Sequence, residues 1–142
     1  MDEELLPIET PLGLLNGRDC IFVDKVDYDV GSNSVVLYGE INGNLCSRDV
    51  ARKSYIPYRL QFDQVYYFLC VELDCDLRRT RSTLSLARVK DSTLIAALRS
   101  NDFDHKLSPL HSHYYVVTYD DVFEIVSAEL HIAIGDARVQ EG

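Results

Sequence analysis

Apolar side chains occupy every second position in one stretch of this chain, and that spacing constrains the fold more than any other feature. The alternating residues are Val65, Tyr67, Leu69, Val71, Leu73, Cys75 and Leu77. A period of two is what one buried face of a β-strand requires. At ~3.3 Å per residue an unbroken strand of this length would extend about 43 Å, so we expect it to bend or end near Asp74. We also expect this face to share one core with Leu60 and Phe62.

Similar alternation upstream predicts a β-hairpin and a further strand. In residues 21–41, apolar and polar side chains alternate on both sides of a loop at Gly31–Ser34. The apolar residues change from odd to even positions at Asp24–Lys25, which predicts a β-bulge there. Residues 56–62 have the pattern of an antiparallel strand with one wet face. Asp63–Gln64 is the predicted turn between this strand and the one that begins at Val65.

The end of the chain predicts a second hairpin. Residues 113–119 have the alternating pattern of a β-strand, a turn follows at Asp120–Asp121, and the return strand extends to Ile134. The apolar set of the return strand changes parity, which predicts a second bulge near Ile125–Val126.

One short helix is predicted between these strands. Asp91 or Ser92 can serve as its N-cap, and Leu94, Ile95 and Leu98 form an apolar stripe. The expected fold class is therefore α+β, mainly antiparallel β, with about six to seven strands in a curved sheet or partly open barrel and one short helix.

The length of the chain predicts a single domain over residues 1–142. Residues 1–19, which prolines and glycines interrupt, are expected to form an N-terminal arm that packs onto the body. Residues 136–142 follow Gly135 and are expected to be a frayed tail.

Composition limits the classes of partner. The chain has 23 acidic residues against 14 basic ones, a formal net charge of -9, which argues against nucleic-acid binding and favours a cationic partner. No stretch approaches the ~20 apolar residues that cross a bilayer. The start Met-Asp-Glu-Glu is unlike a signal peptide, so we expect a cytoplasmic protein that does not use a membrane. Its four cysteines are accordingly expected to stay reduced.

One resemblance accompanies these patterns. His113–Ser127, which reads HYYVVTYDDVFEIVS, together with Tyr58–Val65 upstream, resembles small bacterial domains that carry no assigned function. The matching residues contain no catalytic motif. The resemblance therefore implies a β-strand architecture and no activity.

No catalytic or cofactor-binding signature occurs in the sequence. It lacks the GxSxG elbow, the glycine-rich phosphate loops and any CxxC pair. Glu72, Asp74 and Asp76 share one strand face, as carboxylates for acid–base catalysis would, but carboxylates near a strand end are usually solvated. We therefore expect no cofactor and assign no catalytic residue.

The candidate metal ligands are His111 and His113. Alternate strand residues share a face, so two imidazoles there could bind zinc or iron if a carboxylate such as Asp104, Asp120 or Glu124 joined them. This pair of histidines is the basis of the alternative prediction, that the protein is a small metal-dependent enzyme.

The preferred function is protein interaction, either with a basic partner or by self-association. Acidic residues on the terminal strands, strand-borne aromatic residues and a basic run are the candidate contacts. They are Asp120, Asp121, Glu124, Tyr66, Phe68, Arg78, Arg79 and Arg81.

Overall fold

The computed structural model describes residues 3–47, 55–75, 83–103 and 105–135. Within them the chain forms nine strands and one α-helix. In chain order these are β1 (Leu5–Pro7), β2 (Ile21–Asp29), β3 (Ser34–Ile41), β4 (Ile56–Asp63), β5 (Tyr67–Glu72), β6 (Leu86–Val89), α1 (Thr93–Ser100), β7 (Ser112–Val117), β8 (Asp121–Ser127) and β9 (Glu129–Ile134).

The strands form two antiparallel sheets. One sheet has five strands in the order β1-β6-β7-β8-β5, and the other has four in the order β2-β3-β4-β9. The two sheets do not close into a barrel. The predicted α+β class, mainly antiparallel β with one short helix, is confirmed.

The helix begins and ends where its sequence predicts. The Ser92 side chain accepts a hydrogen bond from the Ile95 N–H over 3.1 Å, as an N-cap does, and Asn101 is the C-cap. It packs against β7 of the five-stranded sheet. In the part of the chain that the structure describes, no helix is long and apolar enough to span a membrane.

The chain changes sheet twice at one corner. Pairing of β4 with β9 ends at Asp63 and Glu129, and pairing of β5 with β8 resumes at Tyr67 and Val126. Gln64, at the corner, has φ of 54°, the left-handed region. The prediction of a tight hairpin turn at Asp63–Gln64 was therefore wrong, because β4 and β5 lie in different sheets.

The same corner explains the change of parity in the return strand. Both ladders of β8 are regular through Ile125 and Val126, so the bulge predicted there was wrong. Instead, the positions that face the core change at Ala128, which lies between β8 and β9, because the chain passes there from one sheet to the other. By contrast, the bulge predicted at Asp24–Lys25 is confirmed by a register shift between Val23 and Lys25.

The main core lies between the sheets. Its buried side chains come from both sheets and from the N-terminal segment: Leu12, Leu15, Cys20, Ile21, Val35, Leu37, Ile41, Ile56, Tyr58, Leu60, Phe62, Leu86, Tyr114, Val116, Phe123 and Ile125. A smaller cluster of Val89, Tyr115 and Val122, with Val71 and Leu73 packed against it, covers the other face of the five-stranded sheet. The expected single core of Leu60, Phe62 and the alternating face of β5 is therefore divided between two clusters.

This division predicts unequal costs for two leucine truncations. Leu60 is 2% exposed in the main core, whereas Leu69 is only partly buried on the edge strand β5. Leu60→Ala should lower the free energy of unfolding by about 2 to 5 kcal/mol and Leu69→Ala by about 1 kcal/mol or less. Urea denaturation measures both free-energy changes, provided that the dependence of unfolding free energy on urea concentration stays the same. Equal costs would show that Leu69 packs in the main core.

Candidate functional site

Three carboxylates meet where the β7–β8 turn lies beside the end of β5. The Thr118 hydroxyl closes this turn, since it donates to the Asp121 carbonyl over 2.8 Å and accepts from the Asp121 N–H over 3.0 Å. Glu72 lies directly opposite Asp121 in the β5–β8 ladder. Desolvation raises the pKa of Asp121, and the charges of Asp120 and Glu72 raise it further. We call Glu72, Asp120 and Asp121 the acidic cluster.

Aromatic rings adjoin the acidic cluster. The Phe22 ring lies 5.8 Å from that of Tyr55 and 5.2 Å from that of Tyr119, and Tyr119 directly precedes Asp120. Tyr55 is 53% exposed and Tyr119 is 38% exposed. The Arg18 guanidinium lies 4.8 Å above the Tyr119 ring, and its Nε donates to the Tyr119 carbonyl over 2.9 Å. These rings and the acidic cluster together form the acidic–aromatic surface.

The other predicted contact residues do not share this surface. Tyr66 is half-buried, and its hydroxyl donates to Asp102 over 3.2 Å. Phe68 is half-buried and stacks on core residue Phe123 at 6.2 Å. Glu124 was predicted as a surface acid, but it is 6% exposed and lies inside the fold. Arg78, Arg79 and Arg81 lie outside the described residues, as do Asp104 and the expected tail at 136–142.

The ring nitrogens of the two histidines already have hydrogen-bond partners within the protein. The Ser108 N–H donates to His111 Nδ1 over 3.0 Å, so Nε2 carries the hydrogen and donates to the Gln64 carbonyl, also over 3.0 Å. Both nitrogens of His113 also have side-chain partners. Asp120 lies beyond the far end of β7, at least about 13 Å from His113 along the strand. The metal-enzyme alternative stays a prediction, without support from this geometry.

A hydrogen-bonded chain of serine, histidine and glutamate was missed by the sequence analysis. Ser92 Oγ lies 2.7 Å from His113 Nδ1, and His113 Nε2 lies 2.8 Å from Glu124 Oε1. His113 on β7 is fully buried, with 0% exposure. One signal was available, since Glu124 is the only charged residue in the otherwise apolar run from Val122 to Val126.

The hydrogen-bonded side chains border a cavity of about 510 Å³ between α1 and the five-stranded sheet. Ser92 and His113 line it. Its apolar wall includes Val89 and Ile95, and its charged lining residues are Arg88, Arg99 and Asp91. The cavity thus combines a hydroxyl, an imidazole and positive charge.

A third cluster lies on the β4–β9 ladder. His131 Nε2 lies 3.1 Å from Asp63 Oδ2 and 3.4 Å from Glu129 Oε1. Among the described residues, this is the group of three whose ligand atoms lie close enough to hold one metal ion. His131 and Glu129 are about half exposed, and an exposed ion-pair network explains the same distances.

Relationships to known proteins add no function to this geometry. Comparisons with protein-family models, with curated protein sequences and with solved structures find no match to this chain.

Proposed function

We propose that this protein is an interaction module that binds a basic segment of a partner protein on its acidic–aromatic surface. The observation that carries the proposal is the convergence of Glu72, Asp120 and Asp121, whose mutual repulsion adds to desolvation in raising the pKa of Asp121. Like charges directly opposite each other on neighbouring strands repel. A cationic partner side chain relieves that repulsion, so binding gains energy that the free protein lacks.

The neighbouring rings favour a partner rich in arginine or lysine. Aromatic faces attract guanidinium and ammonium groups, and carboxylates pair with them through charge-assisted hydrogen bonds. Arg18 already lies over the Tyr119 ring at 4.8 Å, which is an intramolecular example of this contact. The net charge of -9 adds long-range attraction for a basic partner and repulsion for nucleic acid.

The proposal retains the expected cytoplasmic location. All four cysteines are free thiols in the structure. Burial raises the pKa of Cys20 to about 12, so this thiol is protonated and unreactive at neutral pH. Reduced structural cysteines are usual for proteins of the reducing cytosol.

Neutralising the turn carboxylates tests the proposal with a defined probe. The change is Asp120→Asn with Asp121→Asn, and the probe is a synthetic peptide of alternating arginine and glycine. The double variant should associate about five- to tenfold more slowly at low ionic strength, and the parent's association rate should fall as salt rises. Surface plasmon resonance measures both effects. The variant should be at least as stable as the parent, because the pKa of Asp121 is raised and its charge opposes folding.

A matched control removes the same charge elsewhere. Asp27→Asn with Asp29→Asn alters two acids of β2, and it should change the association rate by less than about twofold. Equal effects of the two pairs, or binding that ignores salt, would overturn the proposed surface. A concentration-dependent dimer in sedimentation velocity would favour self-association instead. Stoichiometric zinc or iron held by His111 and His113 would favour the enzyme alternative.

A further inference from the structure

One assignment of the hydrogens in the Ser92, His113 and Glu124 chain suits a nucleophilic serine. Ser92 Oγ accepts from the Ile95 N–H over 3.1 Å, so its own hydrogen is available for His113 Nδ1 at 2.7 Å. His113 then carries its hydrogen on Nε2 and donates it to Glu124 Oε1 at 2.8 Å. This is the protonation state in which an imidazole can accept a serine proton while a carboxylate stabilises the resulting cation.

The position of Ser92 also suits a nucleophile. It lies in the short connection between β6 and α1, directly after Asp91, whose φ of 50° is in the left-handed region. The first turn of α1 already holds an anion, since the Glu3 carboxylate accepts from the Thr93 N–H over 2.7 Å and from the Thr93 hydroxyl over 3.2 Å. Donors that stabilise a carboxylate, here the N–H and hydroxyl of Thr93, also stabilise an oxyanion that takes its place.

The cavity indicates a class of substrate. Its volume of about 510 Å³ suits a small molecule, and Val89 and Ile95 offer it an apolar wall. Arg88 and Arg99 line the same cavity and outnumber its one acidic residue, Asp91, so the lining favours a negatively charged group.

From these three observations we propose a further activity, the hydrolysis of small carboxylate-bearing esters by Ser92. His113 is the general base, and Glu124 is a positioning residue that orients the imidazole. The site is separate from the acidic–aromatic surface, because His113 lies at the opposite end of β7 from the Asp120–Asp121 turn. The activity therefore does not depend on the proposed binding function.

The reaction proceeds in two balanced steps. Ser92 Oγ attacks the ester carbonyl and passes its proton to His113 Nδ1, and the substrate displaces the Glu3 carboxylate from the Thr93 N–H and hydroxyl. The tetrahedral oxyanion collapses, the alcohol leaves with the proton from His113, and an acyl-serine remains. Water then attacks the acyl-serine while His113 accepts its proton. Collapse releases the carboxylic acid and returns the proton to Ser92.

A covalent probe tests the nucleophile directly. A fluorophosphonate should form one adduct on Ser92 in the full-length protein, found by peptide mass spectrometry. Ser92→Asn should abolish the adduct, because asparagine keeps the N-cap but removes the hydroxyl nucleophile. Ser100→Ala is the matched control, since Ser100 is an exposed serine on the same helix, outside the cavity lining, and its loss should leave the adduct unchanged. Circular dichroism confirms that each variant is folded.

Ester hydrolysis tests the roles of the other residues. Mono-p-nitrophenyl succinate should be hydrolysed about tenfold faster than p-nitrophenyl butyrate, and Arg88→Gln should remove that preference. Ser92→Asn should lower kcat by about a thousandfold or more. Glu124→Gln should lower kcat about a hundredfold with KM unchanged, an effect that a purely structural role in a folded protein would not produce.

Three outcomes would overturn the proposal. They are a folded parent that forms no Ser92 adduct, an adduct that persists in Ser92→Asn, and hydrolysis equal to the uncatalysed rate. Each leaves the proposed binding function intact, because that function is measured at the other end of β7.

Discussion

Replacing Gly39 with alanine is expected to lower the free energy of unfolding by about 3 kcal/mol or more. A Cβ at Gly39 would overlap the Phe22 carbonyl oxygen and lie 2.8 Å from the carbonyl carbon, so the backbone would have to move. The bulge between Val23 and Lys25 brings the β2 backbone this close to β3. The same Phe22 oxygen accepts from the buried Tyr58 hydroxyl over 3.0 Å, and a shift of β2 would break that bond as well.

Gly31→Ala provides the matched control. A Cβ at Gly31 would meet only Asp29 Oδ1, at 3.4 Å, which is an ordinary contact. This variant should change the unfolding free energy by less than about 0.5 kcal/mol. Thermal and urea denaturation of both variants measure the difference. A Gly39→Ala protein as stable as the parent would show that β2 does not approach β3 as described.

Glu124→Ala is expected to destabilise the fold by about 3 kcal/mol or more. The substitution removes the acceptor that lies 2.8 Å from His113 Nε2. His113 is 0% exposed and Glu124 only 6%, so the substitution leaves the Nε2 hydrogen without its partner at a site largely closed to solvent. An unsatisfied buried donor costs more than the hydrogen bond itself contributes.

A double variant separates the lost partner from the lost packing. His113→Phe with Glu124→Leu removes both polar groups and keeps apolar volume, so it should be less destabilised than Glu124→Ala. Glu124→Gln keeps an acceptor oxygen and should cost only about 1 kcal/mol. Chemical denaturation of this double variant and of its two single variants, His113→Phe and Glu124→Leu, gives the coupling energy. Strictly additive costs would contradict a direct bond between His113 and Glu124.

Local sequence patterns predicted the elements of the fold well. The hairpin of β2 and β3, its bulge at Val23–Lys25 and the capped helix α1 each depend on residues close together in the chain. Alternation and capping are local properties, so they can be read from neighbouring residues. The predicted end of the long alternating strand also holds, since β5 stops at Glu72.

Pairing between distant strands was predicted poorly at the corner. The alternation on the two sides of Gln64 is compatible with a hairpin and equally with a strand that passes into a second sheet. In the structure the chain passes into a second sheet at Gln64, since β4 pairs with β9 and β5 pairs with β8. Burial from both sides in β8 then removes the alternation that a one-sided strand shows.

The candidate sites divide in the same way. Acidic composition and the adjacent Asp120 and Asp121 are visible in the sequence, and they led to the proposed basic partner. Glu72 joins these residues only through the β5–β8 ladder. Glu124 had the same apparent chemistry as Asp120 in the sequence, yet its side chain faces His113 inside the fold.

The sequence by itself determined the antiparallel strands, the helix with its cap, the acidic charge and the α+β class. These follow from periodicity and composition, which each segment carries alone. Tertiary structure decided which strands share a sheet, which carboxylates are exposed and that Ser92, His113 and Glu124 form one hydrogen-bonded chain. The reason is physical: hydrogen bonds and burial form between residues far apart in the chain, and their partners exist only once both sheets have assembled.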